Sequence, residues 1–367
     1  MPMDILLGKT LEELQAVAQE VGLPRFAGKQ LAEWLYVRRA TTFDEMTNIS
    51  LKGREALKAR STIGRHAPVA EAISKDGTKK YLFRISNSEA VQQRSGLTSS
   101  GVPEKSVDFW GASSEAVYIE SVYIPDDDRA TICVSTQAGC KMGCRFCMTG
   151  TLGFHGHLSA ADILNQIFSI PDSDKLTNIV YMGEGEPMDN LDNVLRSLNA
   201  MTSAWGCAWS PKRITVSSVG INKGLKRFIE ESDCHLAISL HNPFVVERQE
   251  IMPIEKVNHL NDVIALLKQY DWSHQRRVSF EYICWGGVND TPKHANELLR
   301  LLKGLDCRIN LIRFHAGVAN EFTSSDEQQM EWLRDYLTEH GITTTIRRSR
   351  GEDILAACGM LVNALKN

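Results

Sequence analysis

The 367-residue chain has no run of about 18 apolar residues, so it offers no membrane-spanning helix. Its first residues, MPMDILLGKTLEEL, lack a basic leader and a long apolar stretch, and so do not read as a secretory signal. There is no basic excess: 41 Lys and Arg stand against 45 Asp and Glu, a formal net charge of −4. Bulk charge therefore does not announce a nucleic-acid partner. No internal repeat occurs beyond a strand–helix rhythm, which sets aside solenoids and propellers. The nine cysteines do not suggest a disulfide scaffold in so long a chain and turn attention to metal or redox chemistry. With 43% hydrophobic and 23% charged residues, the composition suits a soluble globular protein of more than one domain.

Residues 1–67 read as a small helical domain. Thr10 caps a helix in which Leu11, Leu14, Ala18 and Val21 recur at helical spacing before Gly22 ends it. Leu31, Trp34 and Leu35 form a second apolar stripe, and Leu51 to Ala59 a third helix. Residues 68–125 read as a short β extension: KKYLFRI and AVYIESVYIP are aromatic and β-branched. They flank a polar insertion, 87–114, punctuated by Ser, Gly and Pro. From about residue 130, apolar strands such as ATICVST, LTNIVYMG, RITVSS, HLAISLH, RRVSFEYIC, RINLIRF and ITTTIRR alternate with amphipathic helices. That rhythm predicts a parallel α/β sheet or barrel with its active loops at the strands' C-terminal ends. Two basic clusters, Lys52, Arg54, Lys58, Arg60 and Arg65, and Arg347, Arg348 and Arg350, lend slight support to an RNA-phosphate surface, although such faces are commonly just solvated.

The chemistry concentrates in AGCKMGCRFCMTG, where Cys140, Cys144 and Cys147 stand in a C-x3-C-x2-C spacing. Three thiolates on a cubane iron–sulfur cluster leave one iron open to another ligand. If that iron chelates S-adenosylmethionine, the sulfonium can be cleaved reductively to a carbon radical. Phe146 would shield the cluster from water. Zinc is the competing occupant, with Cys133, seven residues upstream, as a fourth thiolate. In YMGEGEP, Gly183 and Gly185 would let the backbone approach a ligand, and Glu186 offers a carboxylate to an ammonium group.

With these segments in view, the chain resembles the RlmN family of radical-SAM RNA methyltransferases along nearly its whole length. The resemblance is carried by FAGKQLAEWLY, TFDEMTNIS, YIPDDDRATICVSTQAGCKMGCRFCMTGTLGF, MGEGEP, SLH, INLIR and RRSRGEDILAACGML. It implies a partial (βα)6 radical-SAM barrel over 126–348, following an N-terminal helical RNA-binding domain, and a C-terminal segment, 349–367, with a methyl-accepting cysteine. It further implies that Cys140, Cys144 and Cys147 hold one 4Fe–4S cluster. Gly185, Glu186, Ser217, Ser239, Leu240 and His241 would contact S-adenosylmethionine. Cys358 would carry the methyl group, Cys133 would resolve the adduct, and Glu120 would accept the proton. Two molecules of S-adenosylmethionine would be used per turnover. The resemblance implies rRNA and tRNA substrates, an electron donor such as flavodoxin or ferredoxin, a cytoplasmic setting and no membrane. His315, in IRFHAG, stands where most members carry the asparagine that contacts S-adenosylmethionine, and the 87–114 insertion is longer than usual.

The resemblance implies methylation at carbon 2 of adenine, with a Cfr-like activity at carbon 8 as the nearest alternative. A zinc-stabilised RNA-binding protein without catalysis is the alternative from another class. Cys207, Cys234, Cys284 and Cys307 match no motif and are expected to be structural.

Overall fold

The computed structural model describes residues 3–85, 117–273, 277–315 and 322–361; the expected insertion at 87–114 lies outside them. In the first segment, Thr10 and Glu13 form a reciprocal capping box that starts α1 (Leu11–Glu20), and Gly22 follows its end at φ +76°. Leu14, Val17 and Ala18 of α1 pack with Leu31 of α2 (Ala27–Ala32) and with Trp34 and Leu35 of the π turn that extends it. Ser50 caps α3 (Leu51–Arg60). Short strands β1 (Asp4–Ile5) and β2 (Ser61–Thr62) pair in parallel and close the segment.

The basic face of α3 is largely occupied by partners within the chain. Lys58 bonds Asp44 and Glu55 at 2.7 and 2.8 Å, Arg54 donates to the Asp44 carbonyl at 2.8 Å, and Arg60 lies 3.6 Å from Glu20. Arg65 donates to the carbonyls of Arg39 and Phe168 and to Ser169.

One sheet organises the remainder. Strands β3 (Ala70–Ile73), β4 (Lys79–Ile85) and β5 (Val117–Pro125) are antiparallel, and β5 pairs antiparallel with β6 (Ala130–Cys133). Between β6 and the next sheet strand come the hairpin β7 (Gln137–Gly139) and β8 (Phe154–His157), with α4 (Met148–Thr151) inside its loop. Then β9 (Asn178–Tyr181), β10 (Ile214–Ser218), β11 (His235–Ser239), β12 (Val278–Cys284), β13 (Arg308–Arg313) and β14 (Thr343–Arg347) add in chain order, each parallel to the last. Helices α5 (Ala160–Phe168), α6 (Leu191–Thr202), α7 (Asn222–Glu231), α8 (Val245–Ile251), α9 (Leu260–Leu267), α10 (Pro292–Leu302) and α11 (Glu327–Glu339) make the crossovers. The order is linear, so the barrel is partial. β14 is the strand read from ITTTIRR, the seventh parallel one, and β3–β5 continue the same sheet instead of standing apart as an extension.

Register fixes which side chains face inward. Ile179, Tyr181, Ile214, Val216, Leu236, Ile238, Phe280, Ile309 and Leu311 point out and are buried under the helices. The alternate positions point to the inner face, and the pairings Val122–Cys133–Val180–Thr215 and Ser239–Glu281–Asn310–Thr345 run across it. This face is polar on β10–β14, the arrangement of a barrel that works on its inside.

The N-terminal segment docks on the outer helices. Gly8 has φ +84°, and a Cβ there would lie 2.8 Å from the Ala161 nitrogen of α5. Gly8→Ala should therefore lower stability by about 1–3 kcal/mol through strain and overpacking. A urea unfolding curve reads this, and an unchanged midpoint would contradict the tight docking.

Candidate active site

The cysteine loop hangs from a hairpin whose neck is too tight for a side chain. Gly139 has φ +69°, a Cβ on it would lie 1.8 Å from the Gly153 carbonyl oxygen, and Cys140 N–H donates to that oxygen at 2.9 Å. The chain then turns so that Cys147 N–H donates to the Cys144 carbonyl at 3.1 Å before α4 begins. Cys144 and Cys147 lie in an apolar cluster with Met252, Trp285 and Phe314. The ring of Phe146 meets His241 edge-on at 4.8 Å and Trp285 at 5.4 Å. Burial pushes the Cys140 thiol up to about 12 and that of Cys144 well above its ordinary range, and charge on neighbouring loop cysteines adds to the rise. Three such thiols stay ionised together only on a cation.

The donor set fits an iron–sulfur cluster. The three thiols face one another's charge beside an apolar wall, and the buried Trp285 Nε1–H in that wall has no hydrogen-bond partner, the kind of donor that inorganic sulfide accepts. Among the described residues, no group of three or more His, Cys, Asp or Glu is placed to hold a single metal ion. Cys133 does not join the loop cysteines as a zinc site would require. It packs with Val122, Ala356 and Leu361, and the thiol that acts on it is Cys358.

The terminal segment reaches this place through specific bonds. Gly351 N–H donates to Asp76 at 3.0 Å, Asp353 accepts from Ser74 and from Lys75 N–H, and Arg350 pairs with Asp126 at 3.1 Å. Further on, Met148 N–H donates to the Gly359 carbonyl at 2.8 Å, and Thr149 Oγ1 donates to the Leu361 carbonyl at 3.1 Å. Exposed Cys358 is thereby held between the cysteine loop and Cys133. Burial raises the Cys133 thiol to about 12, charge on Cys358 adds to this, and Arg347 opposes it.

Glu120 shares the inner face with Cys133, yet it is fully buried, 2.9 Å from the equally buried Lys80. Its backbone is stitched to the next motif: Glu120 N–H donates to Glu184 Oε1 at 2.8 Å, and Ser135 Oγ donates to the Glu120 carbonyl at 2.6 Å. Glu184 also accepts from Gly139 N–H at 3.3 Å. Burial, then the charge of Glu120, lifts the Glu184 carboxyl to about 8.

The glycines of GEGEP admit a close neighbour in the chain: a Cβ on Gly183 would lie 2.7 Å from Ser135 Oγ, and one on Gly185 2.4 Å from Gln137 Cβ, so both leave room for the β6–β7 turn. The Glu186 carboxylate accepts from Met188 N–H at 3.1 Å and Val219 N–H at 2.9 Å, tying β9 to β10, and burial lifts it to about 7.

Ser217 and Ser239 point to the inner face, while Leu240 is buried. Buried Arg248 holds these strand ends, donating to the carbonyls of Val219, Ser239 and Leu240 and pairing with Glu255. His241 has φ +56° and accepts Ile283 N–H on Nδ1 at 3.1 Å, so the proton sits on Nε2. Burial, then Arg248, holds the ring neutral with its pKa down to about 3. His315 Nε2 lies 2.5 Å from Ser349 Oγ and 3.6 Å from Glu352, so it braces the terminal segment. Arg347 does not belong to an outer basic patch. It lies on the inner face, 3.1 Å from Glu281.

Sequence reasoning missed Lys80, Glu184, Arg248 and Glu281. A signal existed for two of them: Lys80 in KKYLFRI and Glu281 in VSFEYIC are charges inside apolar strands.

Comparison with known proteins places this geometry. Residues 5–63 match the ribosomal RNA large subunit methyltransferase N-terminal domain, and residues 134–337 match the radical SAM superfamily. The chain is 54% identical over 364 residues to a Bacteroides fragilis protein named "Probable dual-specificity RNA methyltransferase RlmN", covering 99% of this chain and 98% of the relative. It is 38% identical to the "Dual-specificity RNA methyltransferase RlmN" of Nitratidesulfovibrio vulgaris, covering 98% and 95%. The crystal structure of a radical SAM methyltransferase from Sphaerobacter thermophilus superposes with a TM-score of 0.85 at 33% identity, covering 99% of this chain and 100% of that one.

The raised Glu184 carboxyl makes stability depend on pH. A carboxyl lifted from 4.5 to about 8 contributes fully below the lower value and loses that contribution as pH rises through the higher one. Glu184→Gln should flatten the decline in urea midpoint between those two values. An equally steep decline in the variant would assign it to other groups.

Proposed function

The chain belongs to the RlmN family of radical-SAM RNA methyltransferases, and on that premise we propose that it places a methyl-derived carbon on carbon 2 of an adenosine in large-subunit (23S) rRNA and in tRNA. Radical-SAM enzymes use a 4Fe–4S cluster and S-adenosylmethionine. In this chain Cys140, Cys144 and Cys147 hold the cluster. When bound, cluster and S-adenosylmethionine together supply a carbon radical by one-electron cleavage of the sulfonium.

Carbon 2 of adenine is electron-poor and does not take a methyl cation as an amine does, so the carbon must come from a carrier able to add to the ring. Cys358 is that carrier. Cys358 would take the methyl group of one S-adenosylmethionine, and Cys140, Cys144 and Cys147 would hold the cluster at which a second would supply the radical. Once the Cys358-borne carbon is joined to the ring, Glu120 removes the ring proton, its carboxylate placed 2.9 Å from Lys80. The Cys133 sulfur then attacks the Cys358 sulfur. The bond from that sulfur to carbon breaks with its electron pair on the carbon, which takes up a proton as the methylated base leaves, and a disulfide remains for a two-electron reductant to reopen. Gly185, Glu186, Ser217, Ser239, Leu240 and His241 shape the bed for S-adenosylmethionine at the strands' C-terminal ends. A flavodoxin or ferredoxin supplies electrons, and the RNA substrates set the work in the cytoplasm.

The observation that carries this proposal is the docking of the terminal segment on the cysteine loop, with Cys358 in the apolar cluster's reach of Cys133. Nucleoside mass spectrometry of rRNA and tRNA from cells with and without the protein tests it. The expected result is 2-methyladenosine that disappears with the protein; 8-methyladenosine alone would replace the assignment with the Cfr-like one. Cys133→Ala should accumulate RNA covalently linked to Cys358. Normal release of methylated RNA from that variant would remove Cys133 from the scheme.

A further inference from the structure

Arg347 ends β14 on the inner face and is fixed there by a chain of polar side chains. Its Nη1 lies 3.1 Å from Glu281 Oε2, Glu281 Oε1 accepts from Asn310 Nδ2 at 2.8 Å, and Asn310 Oδ1 accepts from Thr345 Oγ1 at 2.9 Å. This chain of residues runs across three strands of the barrel interior. The same Nη1 lies 3.7 Å from the Met182 sulfur. Met182 packs in the apolar cluster of Cys133, Ala356 and Leu361, and its backbone faces the Cys133 thiol. The guanidinium is therefore one side chain, Met182, away from the Cys133 cluster, it interacts with Cys358 by charge, and its Nε and Nη2 make no hydrogen bond among the described residues.

We infer that Arg347 is a positioning residue for the thiol pair, stabilising negative charge on sulfur as it moves between Cys133 and Cys358. The inference rests on the assignment of these two cysteines as exchange partners. Thiol exchange proceeds through the thiolate, and Cys133 is buried among apolar groups that oppose its ionisation. The charged and titratable groups facing the pair come from several elements. Glu281 of β12 compensates Arg347. The Lys80–Glu120 pair of β4 and β5 compensates itself on the same face. His315, after β13, is neutralised by burial and turned to Ser349 and Glu352. Arg350 and Asp353 of the terminal segment are bound to Asp126 and to Ser74. That leaves Arg347 as the cation whose charge acts on both thiols, with Met182 as the contact between it and the cluster that holds Cys133.

The test is the rate of Cys133–Cys358 disulfide formation in cluster-loaded full-length protein, held anaerobically with oxidised glutathione. Each disulfide consumes one oxidised glutathione and releases two glutathione thiols, and peptide mass spectrometry counts the product across a pH series. Arg347→Met should slow formation about tenfold at neutral pH and move the rate profile to higher pH, as a loss of about one pKa unit of thiolate stabilisation requires. Arg347→Lys should restore most of the rate. Glu281→Gln, which uncovers the Arg347 charge, should not slow it, and this keeps the test open if Arg347→Met fails to fold. A wild-type rate and profile in Arg347→Met, a lysine variant as slow as the methionine one, or slower exchange in Glu281→Gln would overturn the inference. RNA methylation is read separately, so an absent 2-methyladenosine with Arg347-sensitive exchange would sink the functional assignment and leave this one standing.

Discussion

Two hydrogen bonds determine what this protein can do with its cysteines. The Gly359 and Leu361 carbonyls accept from Met148 N–H and Thr149 Oγ1, the first residues after the last loop cysteine. Each bond contributes only about 1 kcal/mol net. Their effect is positional: they bring the end of the chain back across more than 200 residues and lay Cys358 against the mouth of the barrel. The anchors upstream, Gly351 on Asp76, Asp353 on Ser74 and Arg350 on Asp126, make the approach defined. Without that docking, the loop cysteines and Cys133 would belong to a barrel that Cys358 does not reach.

Around this contact the barrel interior keeps charge in compensated pairs. Lys80 meets Glu120, Arg248 meets Glu255, and Arg347 meets Glu281. A buried ion pair adds little net stability, but losing one partner leaves a bare charge and is costly. These pairs are therefore better understood as fixing geometry. Arg248 aligns the ends of β10 and β11, Glu184 and Glu186 join successive loops, and Arg347 lies against the Met182 sulfur. Neutral His241, its proton on Nε2, extends this pre-set polarity to the ring that packs on Phe146.

Much of this was legible in the primary structure. The capping box at Thr10, the alternation of apolar strands and amphipathic helices, and the three-cysteine loop can each be read from local pattern, because each depends on residues close in sequence. What escaped depends on register between distant strands. A slip of one residue exchanges inner and outer faces, so nothing local could say that Lys80 meets Glu120, or that Arg347 points inward. The glycines of GEGEP show the same limit: their freedom serves close packing on Ser135 and Gln137. His315 sits at a position defined by comparison with the family, yet it bonds to Ser349, a contact set by where the terminal segment folds.

The central claim is that the fold divides five cysteines into two sets: Cys140, Cys144 and Cys147 for a cluster, Cys133 and Cys358 for exchange. Metal analysis of anaerobically purified wild type, Cys133→Ala and Cys144→Ala proteins tests that division directly. Wild type and Cys133→Ala should each carry about four irons and four sulfides per chain, and Cys144→Ala should lose them. Colourless zinc-loaded protein, or loss of metal from Cys133→Ala, would contradict the division.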